Sequence, residues 1–387
     1  MSSETTPELG KALLEREPKI SVGIIVLNGE PFIRYCIRAL YAHAHEIIVA
    51  EGAALCSKQF GGPDGHSTDG TCETLRRVKE EEDPEDKIII VQREGNWASR
   101  DEQSSAYAAR ATGDYLWQVD SDEFYTPAAI EQVRAMLAAD PTISGARFRW
   151  HIFWGGKDYV TDGFFQRQGG GDVNRLFRWG PGYRYGNHWK GPMVVDAEGQ
   201  PVKDTGRWIE AEETAEAGIY CYHYSLTFPS QVFMKTSIYN SGADPTNAQF
   251  SETDRWAFDI WRDLKNPFRV HNRYEHPAWL RRFEDPHPPA AETMFADIAA
   301  DRLKWETRPT EDVEALLSSR RYRWKAAVLG RIADWEEGRS WEARDRARWF
   351  VNIWVDRGAW ALFPALTRRM GEAVLRRLGL LRKPSAS

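Results

Sequence analysis

Three short polar runs in this chain have the residue types to handle a cation and a phosphate. Asp120-Ser121-Asp122-Glu123 directly follows the apolar run Tyr115–Val119. Acidic side chains crowded at the end of a buried strand are costly unless something cationic meets them. A divalent metal does so, because hard cations such as Mg2+ take carboxylate oxygens and share their shell with phosphates. The plain alternative is an acidic, solvated helix start ahead of Pro127. Ser67-Thr68-Asp69-Gly70-Thr71 combines helix-capping side chains with a glycine suited to a tight turn. Asn28-Gly29-Glu30 stands in the matching place after Ile20–Leu27. His223, flanked by Tyr222 and Tyr224, reads either as a ligand nitrogen or as a hydrogen-bonded core residue.

The elements before these runs explain why they could converge. Ile20–Leu27, Glu46–Ala50, Lys87–Gln92 and Tyr115–Val119 read as buried strands. Between them, Pro31–Ala42, Thr71–Glu80 and Ser99–Ala111 have helical spacing. Apolar strands separated by helices predict an α/β fold, a mostly parallel sheet with crossover helices. Ligands bind beyond the carboxyl ends of such strands, where the three polar runs fall. Past residue 140 the pattern changes. Ala146–Phe153, Val173–Trp179 and Gly218–Tyr224 read as strands between Gly-rich, aromatic loops, and Phe228–Asn240 reads as a helix. Residues 277–289 read as a Pro-rich breaker, and the chain from about 291 onward as mainly helical. Gly52–His66 is long for a connection, a length that often carries function.

With 387 residues at 42% hydrophobic, the chain can bury a large core in one or two domains. A net charge of −6 excludes a basic nucleic-acid binder as the default reading. The charge is split, however. Arg320–Ser387 holds 16 Lys/Arg against 7 Asp/Glu, a net of +9. Four cysteines with no CxxC spacing predict a reduced, cytoplasmic protein. The polar N-terminus predicts neither a secretory signal nor a transit peptide, and no apolar run reaches the roughly 18 residues of a membrane span.

Taken in order, Asn28-Gly29-Glu30-Pro31-Phe32-Ile33, His45–Val49, Ser67–Thr71, Thr112-Gly113-Asp114-Tyr115-Leu116 and Asp120–Glu123 resemble a family-2 glycosyltransferase with the GT-A fold. The likeness runs through Ile20–Tyr125 and more loosely to about Tyr239. Asn174–Arg178 and Asn187-His188 resemble the acceptor side of lipopolysaccharide-core-type transferases, and Tyr222–Ser225 with Lys235 and Tyr239 the segment closing their active site. The resemblance implies a divalent metal, Mn2+ or Mg2+, held by Asp120, Asp122 and His223. It also implies a nucleotide sugar held by Asn28, Glu30, Glu51, Asp69, Arg100 and Asp120, and an acceptor met by His188 and Trp189. Two departures stand out: Glu51 where the family usually has Asp, and Trp189 where a Glu often follows the His. The implied organisation is an arm (1–18), a GT-A domain (19–240, donor part 19–125, acceptor part 126–240), a connecting segment (241–290) and a helical, basic C-terminal region (291–387).

The expected reaction is displacement of a nucleoside diphosphate from an anomeric carbon by a glycan, glycolipid or other hydroxyl acceptor, with inversion as the family implies. Such a displacement needs a cation at the leaving phosphate and a general base at the acceptor. The candidate bases are Glu123, Asp162 and Asp172, with the last two equally suited to glycine-rich turns. A nucleotidyltransferase is the competing enzyme class, but it would place a Gly-rich basic loop where Asn28-Gly29-Glu30 stands. A non-catalytic carbohydrate binder is the other alternative. In the tail, Leu366, Met370, Val374, Leu378 and Leu381 form a stripe with arginines largely off it. That stripe reads either as an ordinary packed helix or as a peripheral contact with the inner face of a membrane.

Overall fold

The computed structural model describes residues 17–185, 193–240, 253–271, 276–336 and 341–357. The strands are β1 (Ile20–Val26), β2 (Glu46–Glu51), β3 (Ile88–Val91), β4 (Tyr115–Gln118), β5 (Glu123–Phe124), β6 (Ile143–Trp154), β7 (Tyr159–Gly163), β8 (Asp172–Arg178), β9 (Arg184–Tyr185), β10 (Val194–Val195), β11 (Arg207–Ile209), β12 (Tyr220–Leu226) and β13 (Ala278–Arg282). The main sheet runs β13-β7-β6-β8-β4-β1-β2-β3, while β12 joins β5 to β6 and β11 also pairs with β6.

The stretch β4-β1-β2-β3 is wholly parallel. Both faces of β2 and β4 are covered, so every residue of these strands is buried, in keeping with continuous apolar runs. Helix Ile33–Tyr41 buries Ile33, Cys36, Ile37 and Leu40 at the i, i+3, i+4, i+7 spacing of one helix face. Arg34 and Arg38 on its outer side both pair with Glu82. Ser99 caps helix Arg100–Ala108 by accepting from the Glu102 amide at 3.1 Å, and Thr126 caps Pro127–Ala139 in the same way. Gly23 lets the Tyr107 ring cross β1, since a Cβ there would stand 2.0 Å from that ring. Beyond β4 the sheet turns antiparallel, through β8, β6, β7 and β13. The mostly parallel sheet expected from sequence is present: antiparallel pairing enters beyond β4, while β11 and β12 still run parallel to β6.

The Pro-rich stretch read as a breaker contains β13, which extends the sheet edge along β7. Its apolar Ala-Trp-Leu core pairs with residues more than a hundred positions upstream, and local composition gave no sign of that partner. Helix Pro289–Ala299 packs on helix Ile33–Tyr41, where the Tyr35 hydroxyl donates to Asp297 at 2.6 Å. Helices Arg320–Glu336 and Trp341–Arg357 cover β13 through Tyr322, Leu329, Val351 and Val355, packed with Trp279 and Phe164. Among the described residues, no helix is long and apolar enough to cross a membrane. The stripe 366–381 lies outside the described residues.

Candidate active site

The parallel strands deliver β1, β2 and β4 to one rim, and a cavity of about 280 Å³ opens there. Asn28, Glu30, Arg100, Asp120, Ser121, Asp122, His223 and Lys235 line it. A larger cavity of about 760 Å³ lies between β13 and helix Arg320–Glu336. It contains none of the acidic or histidine groups singled out above, so the smaller one is the candidate site.

The turn after β4 is bound on three sides. The pairing of β12 with β5 sets His223 opposite Glu123, and the Tyr224 amide donates to the Asp122 carbonyl at 2.9 Å. Helix Pro229–Asn240 then presents Gln231 and Lys235, one turn apart. Each donates to Asp122 Oδ2 at 2.6 Å. The Nε2 of His223 stands 3.6 Å from Asp122 Oδ1. Burial would raise the Asp122 carboxyl, but the charge and hydrogen bond of Lys235, joined by His223 only at the low pH where that ring is protonated, overcome it and hold it at about 2. Burial pushes His223 down to about 4, against the opposing pull of Asp122, so at neutral pH it is an uncharged imidazole.

Arg175 of β8 comes from the other side. Its Nη2 donates to Asp120 Oδ2 at 2.6 Å and to Glu123 Oε1 at 2.5 Å. The Trp150 indole donates to the same Glu123 oxygen at 2.9 Å, and its ring lies 4.7 Å from that of His223. Burial, with Asp120 and Asp122 nearby, raises the Glu123 carboxyl to about 7 despite Arg175. Three buried polar atoms lack a hydrogen-bond partner here: His223 Nδ1, Arg175 Nε and Gln231 Oε1. Two carboxylates and a neutral imidazole at one cavity wall are oxygen and nitrogen donors of the kinds a divalent cation takes.

Residues 63–195 match the family model described as glycosyl transferase family 2. Over that segment, about a third of its length, the chain is similar to family-2 glycosyltransferases. No curated protein matches it. Among solved structures, S. aureus TarS 1-349 is similar, with 14% identity over 64% of this chain and 77% of that chain and a TM-score of 0.34. TarS 1-349 is also solved in complex with UDP and with UDP-GlcNAc. Glucosyl-3-phosphoglycerate synthase from Mycobacterium tuberculosis, in complex with Mn2+, UDP and glucosyl-3-phosphoglycerate, is 19% identical. That match covers 40% of this chain and half of the other, with a TM-score of 0.25.

The expected site residues divide into two groups. Asp120, Asp122, His223, Arg100, Asn28 and Glu30 meet at the cavity. Asn28 adopts φ +51, and its Nδ2 donates to the Phe60 carbonyl while its Oδ1 accepts from the Thr68 amide. Glu30 accepts from the Thr74 hydroxyl. Burial raises its carboxyl, and that hydrogen bond only partly offsets the effect.

Glu51 and Asp69 do not line the cavity. Glu51 is fully buried at the end of β2, where it accepts from Ser67, Gln92 and the His66 ring. Burial works to raise its carboxyl, but these bonds outweigh it and the net direction is down. Glu51 thus pins the long loop, whose Ala54 and Ser57 form a cavity wall. Asp69 accepts from Thr71 and from the Glu30 amide, tying β1 to the start of helix Thr71–Glu81. Gly70 takes φ +104 at that turn, as its glycine type suggested.

The three base candidates also stand away from the cavity lining. Glu123 is buried behind Trp150 and Arg175. Asp162 on β7 is paired with Arg167 through both oxygens, at 2.9 Å each. Asp172 faces Arg149 across β8 and β6 at 3.0 Å. The last two are cross-element ion pairs rather than groups presented to a substrate. His188 and Trp189 lie outside the described residues. Sequence reasoning missed Arg175 and Gln231 as site components. β8 also carries Asp172, Asn174 and Arg178, so Arg175 does not stand out in the strand by residue type.

Proposed function

We propose that this glycosyltransferase moves a sugar from a nucleoside-diphosphate sugar to a hydroxyl acceptor in glycan or glycolipid biosynthesis, with a divalent cation, Mn2+ or Mg2+, at Asp120, Asp122 and His223. The observation that carries the reading is the convergence of these three residues with Arg100 and Lys235 on one cavity at the strand ends. A cation bound there supplies Lewis-acid stabilisation of the leaving diphosphate. The protein's own part is electrostatic and positional. Lys235 and Gln231 hold Asp122 ionised and aimed. Arg175 orients Asp120 from beneath. Arg100 adds positive charge at the cavity, where negative charge would build on the departing phosphate. Asn28 keeps the 60–68 loop closed on the end of β1.

Each carboxylate lining the cavity is already engaged: Asp120 by Arg175, Asp122 by Lys235 and Gln231, Glu30 by Thr74. The test is a thermal-shift panel of nucleoside diphosphates and nucleotide sugars with and without Mn2+. A metal-dependent stabilisation lost in Asp122→Asn is expected. If no nucleoside diphosphate stabilises the wild type in the presence of metal, the donor reading fails.

A further inference from the structure

We propose that the outer face of helix Arg320–Glu336, with the arginine-lined groove beside it, docks on an anionic lipid surface. This face is a different element from the 366–381 stripe, and the inference does not rest on the transferase reading.

Two large aromatic side chains stand exposed on this helix, Trp324 at 63% and Trp335 at 48%. They are eleven residues apart, three turns with only about 20° of drift, so they point the same way. Arg320, Arg321 and Arg331 fall on the same side by helical spacing and are exposed. The opposite side, with Tyr322, Leu329 and Ala333, packs on β13. The Trp324 ring also packs edge-on against Trp354 of the next helix, 6.0 Å between centroids. Indole surface exposed to water is unfavourable, and arginine beside exposed tryptophan is the composition of membrane-interface segments.

The groove supplies the second observation. The 760 Å³ cavity beside this face is lined by Arg167, Arg281, Arg282, Arg323 and Arg331, against Glu284 and Asp334. Arg167 pairs with Asp162 and Asp334, and Arg282 with Glu314. Arg281, Arg323 and Arg331 make no ion pair among the described residues. Arg331 belongs to both the groove and the tryptophan face, so the two form one basic surface. Unpaired guanidinium groups beside an aromatic ridge fit lipid phosphates below and the interfacial layer around them.

Charge argues against other occupants. The segment 358–387 carries six Lys/Arg and one Glu, so it is of like sign. A second copy would set the same arginines against each other.

The experiment is co-sedimentation of the full chain with vesicles of phosphatidylcholine alone and of phosphatidylcholine with phosphatidylglycerol. Binding to the anionic vesicles only is expected. Replacing Arg281, Arg323 and Arg331 together by Gln should weaken it by about fivefold per arginine. The double variant Trp324→Ser, Trp335→Ser should weaken it at least about tenfold. Brominated lipid should quench wild-type tryptophan fluorescence more than that of the Trp324→Ser, Trp335→Ser variant. These positions are exposed, and an unchanged melting temperature confirms that each variant is folded. Binding that persists in both variants, or that is equal on neutral vesicles, overturns the proposal. So does a soluble polyphosphate that binds the wild type and the tryptophan variant alike, since that would make the groove a site for a free polyanion.

Discussion

The contact between Lys235 and Asp122 yields the sharpest prediction, because an ammonium group stands where a cation would bind. Lys235→Met keeps the length and apolar stem of the side chain and removes its charge. Asp122 then remains buried with Gln231 and a neutral His223 as its partners. Its carboxyl sits at about 2 against an ordinary 3.8, and that gap corresponds to about 2.4 kcal/mol of preference for the charged form. Breaking a buried pair costs roughly 3–5 kcal/mol. The Lys235 side chain is 27% exposed, so the lower end applies. A loss of about 3 kcal/mol should lower Tm by about 4 °C in a chain of this size. The sign of the metal effect distinguishes this reading from simple damage. In the wild type a dication must displace the ammonium, whereas in the variant it meets an uncompensated carboxylate. Mn2+ should therefore bind the variant more tightly, by up to about fiftyfold if the whole 2.4 kcal/mol is recovered, and should restore most of the lost Tm. The assay is thermal denaturation across a Mn2+ titration for both proteins. An unchanged Tm without metal, or the same Mn2+ response in both, would refute the reasoning.

Three other outcomes are open to measurement. The folded state holds the Glu123 carboxyl near 7, above its ordinary 4.5, so it binds an extra proton and stability falls as pH rises between those values. Glu123→Gln should flatten that decline, the wild type losing of order 3 kcal/mol relative to the variant between about pH 4.5 and 7; parallel denaturant-midpoint curves would show that Glu123 carries no such burden. Asp162→Asn and Asp172→Asn should lower stability by about 1 kcal/mol each, yet leave nucleotide-dependent stabilisation within about twofold. A loss of nucleotide binding in either would return it to the site. Asp122→Asn and the vesicle variants described above complete the set.

The donor half of the site was readable in the sequence for a local reason. Strand, turn and helix alternate within Ile20–Tyr125, and parallel strands bring every carboxyl end to the same rim. Placing Asn28, Asp120 and Asp122 together therefore needed no knowledge of distant contacts. Glu51 and Asp69 show the limit of that argument. Glu51 sits at the end of β2 and Asp69 just before helix Thr71–Glu81, but their oxygens turn inward to pin the loop and the helix start. Residue type and position name a rim, and side-chain direction is decided by which donors lie nearby. Asp162 and Asp172 misled similarly, because an acid beside glycine looks the same in sequence whether or not an arginine pairs with it in the fold.

The sequence by itself determined the parallel half of the sheet, the acidic turn after β4 and the split between an acidic body and a basic end. These follow from periodicities of two and 3.6 residues and from charge counts, which are properties of neighbouring residues. Only the tertiary structure decided that β12 would lay His223 beside Asp122, that Lys235 and Gln231 would reach the same oxygen, and that Arg175 would join Asp120 to Glu123. It alone set Trp324 and Trp335 on the exposed side of a helix whose other face is buried on β13. Each of these is a contact between residues far apart in the chain, and pairing over such distances is chosen by the packing of the whole core.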